Sequence, residues 1–361
     1  MPNTAYLILE NGMVFKGKSF GAQGEIIGEA VFTTGMTGYL ETLTDQSYFG
    51  QIVLQTFPLI GNYGIIPEDF ESSSIGTSAY IVKNWCQDPS NFRSEGDLDT
   101  FLKERNIVGL YGVDTRAITK IIRESGVMNA KITNIEPTDT DLEEIKSYKI
   151  KDAVAGVSSK EVTHYKSDNS KYKVALMDFG MKENIKRELL AHGCDVTVFS
   201  HDSKTSDLLS INPDGIMLSN GPGDPAVNTD IIENLKEIMA TGVPMFGICL
   251  GHQLLALANG FETDKLKYGH RGANQPVKDL QSGKVYITSQ NHGYAVKSES
   301  IDKDIAQELF VNVNDRTCEG ILYKKIPAFS VQFHPEASGG PLDTAFLFDR
   351  FINSMETYKN S

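Results

Sequence analysis

The sequence predicts an α/β protein: an open, mostly parallel sheet flanked by helices in the C-terminal part, preceded by a smaller mixed α+β domain rich in strands. Three observations predict it. From residue 173 onward, short apolar runs alternate with amphipathic stretches, the rhythm of parallel strands joined by helical crossovers. Before residue 135 the chain is strand-like and rich in turn residues, with one clear helical pattern. Between these regions the text becomes polar and charged, ending in "SSKEVTHYKSDNSKY", which buries little and reads as a linker. The expected division is therefore 1–150, a linker at 151–170, and 171–361. A length of 361 residues also exceeds what one hydrophobic core usually organises.

In order along the chain, "AYLILENGMVFKGKSFG" places Asn11-Gly12 between two strand-like runs, a hairpin signal because both residues tolerate the positive φ of a primed turn. Strands and turns continue through "GEAVFTTGMTGYLETLTDQSYFGQIVLQTFPLIGNYG". The helical pattern is "DTRAITKIIRES", with Asp114 or Thr115 as its cap. After the linker, "KVALMDFG" predicts a buried strand and "MKENIKRELLAHG" a helix closed by Gly193. "DVTVFS" and "DGIMLSNG" predict two strands, 227–240 a helix, "PMFGI" a strand and "LGHQLLALA" a helix. "KVYITSQNHGYAV", "ELFVNVND", "CEGILYKK" and "AFSVQFHPEA" add strands before a closing helix in "PLDTAFLFDRFINSME". In such a sheet, functional loops sit at the carboxyl ends of the parallel strands.

Composition narrows the function classes. With 40% hydrophobic and 22% charged residues, the chain is expected to be a soluble globular protein. A net charge of -13 without a long basic cluster argues against nucleic acid or a membrane surface as partner. There is no signal-peptide pattern and no apolar run able to span a bilayer. Four cysteines at wide, irregular spacing, with no Cys-x-x-Cys pair, suggest neither a disulfide framework nor a zinc site. A cytoplasmic location is the expectation.

The chemistry centres on Cys249 in "GICLG". A strand precedes it and an amphipathic helix follows, with Gly247 and Gly251 at minus two and plus two: the pattern of a nucleophile elbow, where larger side chains would collide. A thiol at the first turn of a helix faces unpaired N–H groups that favour the thiolate. Alone, the cysteine is as readily a small buried hydrophobe. A nucleophilic thiol also needs a base and a group to orient it. "FHPE" offers both: in an extended segment, with Pro335 holding His334 in the β region, Glu336 supports the imidazole from the same side. "SNGPGDP" follows a strand and can turn amides toward an oxyanion, with Gly221 and Leu250 N–H groups as candidates; alone it is equally a tight turn. Nothing around His164, His192 and His201 suggests chemistry.

Elbow, glycine loop and H-P-E in this order resemble the class I (triad) glutamine amidotransferases over roughly 172–356. "DFGMKENIKREL", "SNGPGDP", "GICLGHQLLALANG", "KYGHRGANQPV", "TSQNHGYAV" and "VQFHPEASGGP" are similar, more narrowly, to the small-subunit family of carbamoyl-phosphate synthases. "TTGMTGYLETLTDQSY" and "GVDTRAITKIIRESG" extend the resemblance to the N-terminal part, so it spans nearly the whole chain.

The resemblance implies a glutaminase in which Cys249 is the nucleophile, His334 the base and Glu336 its orienter. Gly221, Gly223, Leu250, Gln253, Asn291, Gly293 and Tyr294 match positions lining a pocket for L-glutamine, and Ser47 matches one contributed by the first domain. The implied partner is a separate large synthetase subunit in a heterodimer, with the number of associated heterodimers left open. That partner is expected to bind ATP and Mg and to make carbamoyl phosphate from bicarbonate and the delivered ammonia, for arginine and pyrimidine synthesis. No metal and no cofactor is expected in this chain, which lacks a Gly-x-x-x-x-Gly-Lys-Ser/Thr loop. Gln275 replaces an expected histidine, Gly340 stands where proline is common, and Tyr294 replaces the frequent phenylalanine. The alternatives are a glutaminase feeding another synthase and a docking subunit without catalysis; the N-terminal resemblance opposes the first, and the presence of Cys249, His334 and Glu336 the second.

Overall fold

The computed structural model describes residues 3–360, so the outermost ends of the expected domains, 1–2 and 361, lie outside the described residues. The chain divides between Ala153 and Val154 into two compact units.

In the first unit seven strands close into a barrel: β1 (Thr4–Leu9), β2 (Val14–Gly21), β3 (Ile26–Thr33), β4 (Gln51–Gln55), β6 (Ala79–Val82), β8 (Val108–Tyr111) and β9 (Met128–Thr133). The short strands β5 (Leu59–Ile60) and β7 (Asn84–Trp85) pair with each other outside it. Closure in the order β1-β2-β8-β6-β4-β3-β9 leaves no barrel edge unpaired, which removes the aggregation liability of an open sheet. The helices are α1 (Tyr39–Thr44), α2 (Leu98–Glu104), α3 (Thr115–Ser125) and α4 (Asp139–Ser147). Strand alternation feeds two cores: Ile52 and Leu54 join Ile118 and Ile122 of α3, while Val53 joins Leu40, Leu43 and Leu98 of α1 and α2. Asp114 is the cap of α3, its Oδ1 accepting the Ala117 N–H at 3.0 Å. The first hairpin turns at Asn11-Gly12, but of the two only Gly12 takes a positive φ, 85°. Gly12 N–H donates to Leu9 O at 2.8 Å and Leu9 N–H to Met13 O at 2.9 Å. This is an ordinary turn followed by a left-handed glycine, rather than the expected primed turn.

The segment 151–170, expected as a linker, carries α5 (Ala153–Val157) and β10 (Thr163–Tyr165). Strand β10 adds to the sheet edge, antiparallel to β12 (Cys194–Ser200), and His164 Nδ1 lies 3.0 Å from Thr197 Oγ1. Its polar composition suits an edge strand with one solvated side.

The second unit is built on a ten-stranded sheet in the order β10-β12-β11-β13-β14-β19-β18-β17-β15-β16. Its centre is parallel: β12, β11 (Tyr172–Asp178), β13 (Gly215–Leu218), β14 (Met245–Ile248) and β19 (Ala328–Val331). Antiparallel strands extend it: β18 (Cys318–Tyr323), β17 (Ala306–Asn312), β15 (Thr263–Asp279) and β16 (Val285–Val296). Around the sheet lie α6 (Glu183–Ala191), α7 (Thr205–Leu209), α8 (Thr229–Met239), α9 (Leu250–Ala258) and α10 (Phe346–Lys359). The central strands are buried on both faces. Ala175 and Met177 pack with Leu235 of α8 and Leu254 of α9, while Val174 and Leu176 pack with Leu189 of α6 and Phe351 of α10. This explains their unbroken apolar runs. Gly193, expected to close α6, has φ 80° and follows the C-cap His192, a left-handed conformation that favours glycine.

Candidate active site

The carboxyl ends of β13, β14 and β19 converge at the elbow between β14 and α9. Cys249 takes φ 52° and ψ -102°, a strained turn for a residue with a side chain. Surrounding contacts explain why its neighbours are glycine. A Cβ at Gly247 would fall 2.9 Å from the Gly251 backbone, and one at Gly251 only 2.3 Å from Leu218 O. The strained turn is held by Cys249 N–H donating to Val331 O at 2.8 Å and Gly251 N–H donating to Ser219 O at 3.0 Å. Leu250 opens α9, so its N–H is among those with no acceptor within the helix. Gly221 packs against it: a Cβ there would fall 2.2 Å from Phe179 O and 2.7 Å from Leu250 Cδ2. Both expected oxyanion donors therefore belong to one tightly packed region, and Gly223 supplies the loop's left-handed turn with φ 91°.

His334 follows β19, the parallel neighbour of β14, in which Val331 pairs with Ile248. The register thus brings the residues after these two positions, Cys249 and His334 among them, to adjacent strand ends. His334 Nδ1 lies 2.6 Å from Glu336 Oε1, and both residues are buried. The sequence predicts an extended segment here; the structure instead has a turn, closed by Ala337 N–H donating to His334 O at 3.3 Å. Pro335 presets the second position of that turn, and the chain reversal brings the carboxylate back to the ring. His334 Nε2 is buried with no hydrogen-bond partner among the described residues. Burial works to push the Glu336 carboxyl up. The facing His334 and the Lys182 ammonium, 4.0 Å from Oε1, outweigh burial and hold it below the ordinary carboxylate range.

Strand β16 borders both groups. His334 N–H donates to Ser289 O at 2.9 Å, and Cys249 Sγ lies 3.8 Å from Asn291 O. Gln253 Nε2 donates to Tyr294 O at 2.7 Å and to Gln332 Oε1 at 2.9 Å, tying α9 to the end of β16. Gly293 sits beside Arg271, whose Nη2 would be 3.4 Å from an added Cβ. Ser47 belongs to the first unit, where it is buried in a 3-10 turn and its N–H donates to Asp45 Oδ1 at 2.9 Å.

Several residues escaped sequence reasoning. Asn220 binds the loop after β11, its Oδ1 accepting from Lys182 N–H and its Nδ2 donating to Gly180 O, both at 3.0 Å. Asn184 Nδ2 donates to Glu336 O. The available signals are position, since "GMKEN" follows a buried strand at its carboxyl end, and membership of the stretches "DFGMKENIKREL" and "SNGPGDP" that carry the family resemblance. His252, on the elbow helix, is fully buried with Nδ1 2.8 Å from Ser330 Oγ, and burial lowers it to about 3. Of the departures from the family pattern, Gln275 makes a main-chain contact, its carbonyl accepting from Thr288 Oγ1 at 2.9 Å. At Gly340 an added Cβ would fall 2.0 Å from Ser289 Oγ, so any side chain there requires that hydroxyl to turn.

Comparison with known proteins follows the same division. Residues 7–132 match the family model "Carbamoyl-phosphate synthase small chain, CPSase domain", and residues 175–354 match "Glutamine amidotransferase class-I". A carbamoyl phosphate synthase small chain from Bacillus cereus is 52% identical over 357 residues, covering 98% of this chain and 96% of the relative. Proteins of the same name from Clostridium perfringens and Syntrophotalea carbinolica are 51% and 49% identical, covering 96% and 99% of this chain and 98% and 99% of their own lengths. Among solved structures, a glutamine amidotransferase from Thermotoga maritima aligns with 52% of this chain and 83% of its own, at 18% identity and TM-score 0.39.

Proposed function

Because the chain belongs to the carbamoyl-phosphate synthase small chain family and carries that family's class I glutamine amidotransferase domain, we propose that Cys249, His334 and Glu336 hydrolyse L-glutamine in it by the following route. The protein is the glutaminase subunit of a glutamine-hydrolysing carbamoyl-phosphate synthase. The Cys249 thiolate attacks the side-chain amide carbon, and the electron pair moves to oxygen, which rests on the Gly221 and Leu250 amides. The pair returns as the C–N bond breaks. His334 gives its proton to the departing nitrogen, leaving ammonia and a γ-glutamyl thioester. Water then attacks the thioester, His334 takes its proton, and the C–S bond breaks to release glutamate, leaving the thiolate and the protonated His334 with which the cycle began. Glu336 stays ionised throughout and stabilises the imidazolium.

The observation that carries this reading is the buried His334–Glu336 pair on the strand end beside the strained Cys249 elbow. Gly223, Gln253, Asn291, Gly293 and Tyr294 are proposed to line the glutamine pocket; for Ser47 the family resemblance alone supports such a share. No metal or nucleotide enters these steps, and ATP with Mg is assigned to the large-subunit partner, which would receive the ammonia. A cytoplasmic site of action belongs to the same proposal. No disulfide joins any of the four cysteines, and no helix among the described residues is long and apolar enough to cross a membrane.

The test is Cys249→Ser in the complex reconstituted with the large chain. Glutamine-dependent carbamoyl phosphate synthesis should vanish while ammonia-dependent synthesis persists; loss of both, or of neither, overturns the reading.

A further inference from the structure

Behind β16 lies a buried polar chain that the hydrolytic steps do not use. His270 on β15 faces two carboxylates: its Nε2 is 2.8 Å from Asp315 Oδ2 and its Nδ1 3.3 Å from Glu319 Oε1. Burial opposes charge on this ring, but the two carboxylates prevail and raise it to about 9, so it is an imidazolium at neutral pH. Glu319 is fully buried and accepts from Asn312 Nδ2 at 3.1 Å and Gln290 Nε2 at 3.0 Å. Burial pushes the Glu319 carboxyl up while the facing His270 works to lower it; Gln290 turns its NH₂ toward Glu319 and its oxygen toward His292. Gln290 Oε1 is 3.1 Å from His292 Nε2, and His292 Nδ1 is 2.7 Å from Tyr294 O. A proton on either nitrogen therefore ties the His292 ring to its own strand.

Strand geometry connects this chain to the site. Gln290 and His292 share one face of β16, and Asn291 between them presents its carbonyl to Cys249 Sγ at 3.8 Å. Ser289, one residue earlier, holds the His334 N–H. The opposing strand is pinched at this level. His270 pairs with His292 between two register shifts, and an added Cβ at Gly269 would fall 2.3 Å from His292 O. An irregular hairpin leaves the line of β16 underdetermined by its ladder alone.

We propose that His270 and Glu319 are positioning residues for glutamine use: the Asp315–His270–Glu319 chain sets the Gln290 amide, which fixes segment 290–294 and with it Asn291, Gly293 and Tyr294. The inference rests on the glutaminase reading above. Removing the chain lets the strand shift around Asn291, Gly293 and Tyr294, while Ser289 O still holds the His334 N–H and the elbow still holds Cys249, so the effect should fall on glutamine KM rather than on kcat.

The experiment measures glutamine- and ammonia-dependent synthesis in the reconstituted complex for His270→Leu, Glu319→Leu, the double variant and Asp315→Asn, with Cys249→Ser alongside. His270→Leu should raise the glutamine KM about tenfold, the value of a lost charge-assisted hydrogen bond, with kcat changed less and ammonia use unchanged. The double variant should be no worse than the worse single one, because one chain is broken in each. An unchanged KM in His270→Leu, or additive effects, overturns the proposal. Should the core variants not fold, Asp315→Asn on the exposed turn decides: a KM raised about threefold supports the chain and an unchanged KM overturns it. Failure of Cys249→Ser to abolish glutamine use would instead indict the glutaminase reading.

Discussion

His334 Nδ1 and Glu336 Oε1 are 2.6 Å apart across a proline turn, with Lys182 Nζ 4.0 Å from the same carboxylate oxygen. The pair is buried, so the carboxylate and imidazole depend on each other for solvation. In the proposed route, the charge of Glu336 is what stabilises a proton on the His334 ring.

Replacing Glu336 by Gln should therefore lower glutamine hydrolysis on the order of 10²-fold or more, the usual share of an oriented acid–base group. Ammonia-dependent synthesis should be unaffected. Steady-state glutamate release by both proteins checks this, and near-normal hydrolysis would refute the role of Glu336.

Lys182→Met removes a cation that helps keep Glu336 below the ordinary carboxylate range. The depressed carboxyl contributes stability that is full above its unfolded value of 4.5 and lost as pH falls through its lower folded value. Without Lys182 that loss should begin at higher pH. Acid unfolding followed by circular dichroism for both proteins measures the displacement; coincident curves count against the electrostatic assignment.

Gly251→Ala puts a Cβ 2.3 Å from Leu218 O, a main-chain atom that cannot swing aside. Overpacking of this kind should cost about 1–3 kcal/mol and distort the elbow, lowering glutaminase activity as well. Gly96→Ala is the control, since nothing lies within 4 Å of its added Cβ and its φ is not positive. Urea titration of the two variants should separate them.

His252 shows the opposite sign to a paired histidine. Folded, it stays neutral down to about pH 3, whereas the unfolded chain binds its proton near 6.5. Its contribution is complete above 6.5 and declines as pH falls toward the folded value. His252→Gln should flatten this decline, by up to about 1.4 kcal/mol per pH unit. Denaturant midpoints at about pH 7 and about pH 5 provide the comparison.

Much of this was legible from local pattern. The parallel strands announced themselves because both faces are buried, as in "KVALMD" and "GIML", and the elbow because Cys249 stands between two glycines that backbone contacts exclude from being anything larger. Residue type and spacing single out Cys249, His334 and Glu336 as candidates, yet the same pattern predicts an extended link between His334 and Glu336 where the structure has a turn. A proline permits both an extended run and a turn; the choice fell to the Ala337 N–H bond back to His334.

The sequence by itself determined the order of elements, the strand-to-helix elbow and the side chains available for the chemistry, because each depends on neighbours a few residues away. Tertiary structure alone decided that seven N-terminal strands close into a barrel, that 163–165 joins a sheet edge, and that Lys182, Asn184 and Glu336 meet. It also assembled Asp315, His270, Glu319 and Gln290 behind the pocket strand. These partners come from different strands and loops, and strand pairing and burial, which no local pattern encodes, select which polar groups must satisfy one another once water is excluded.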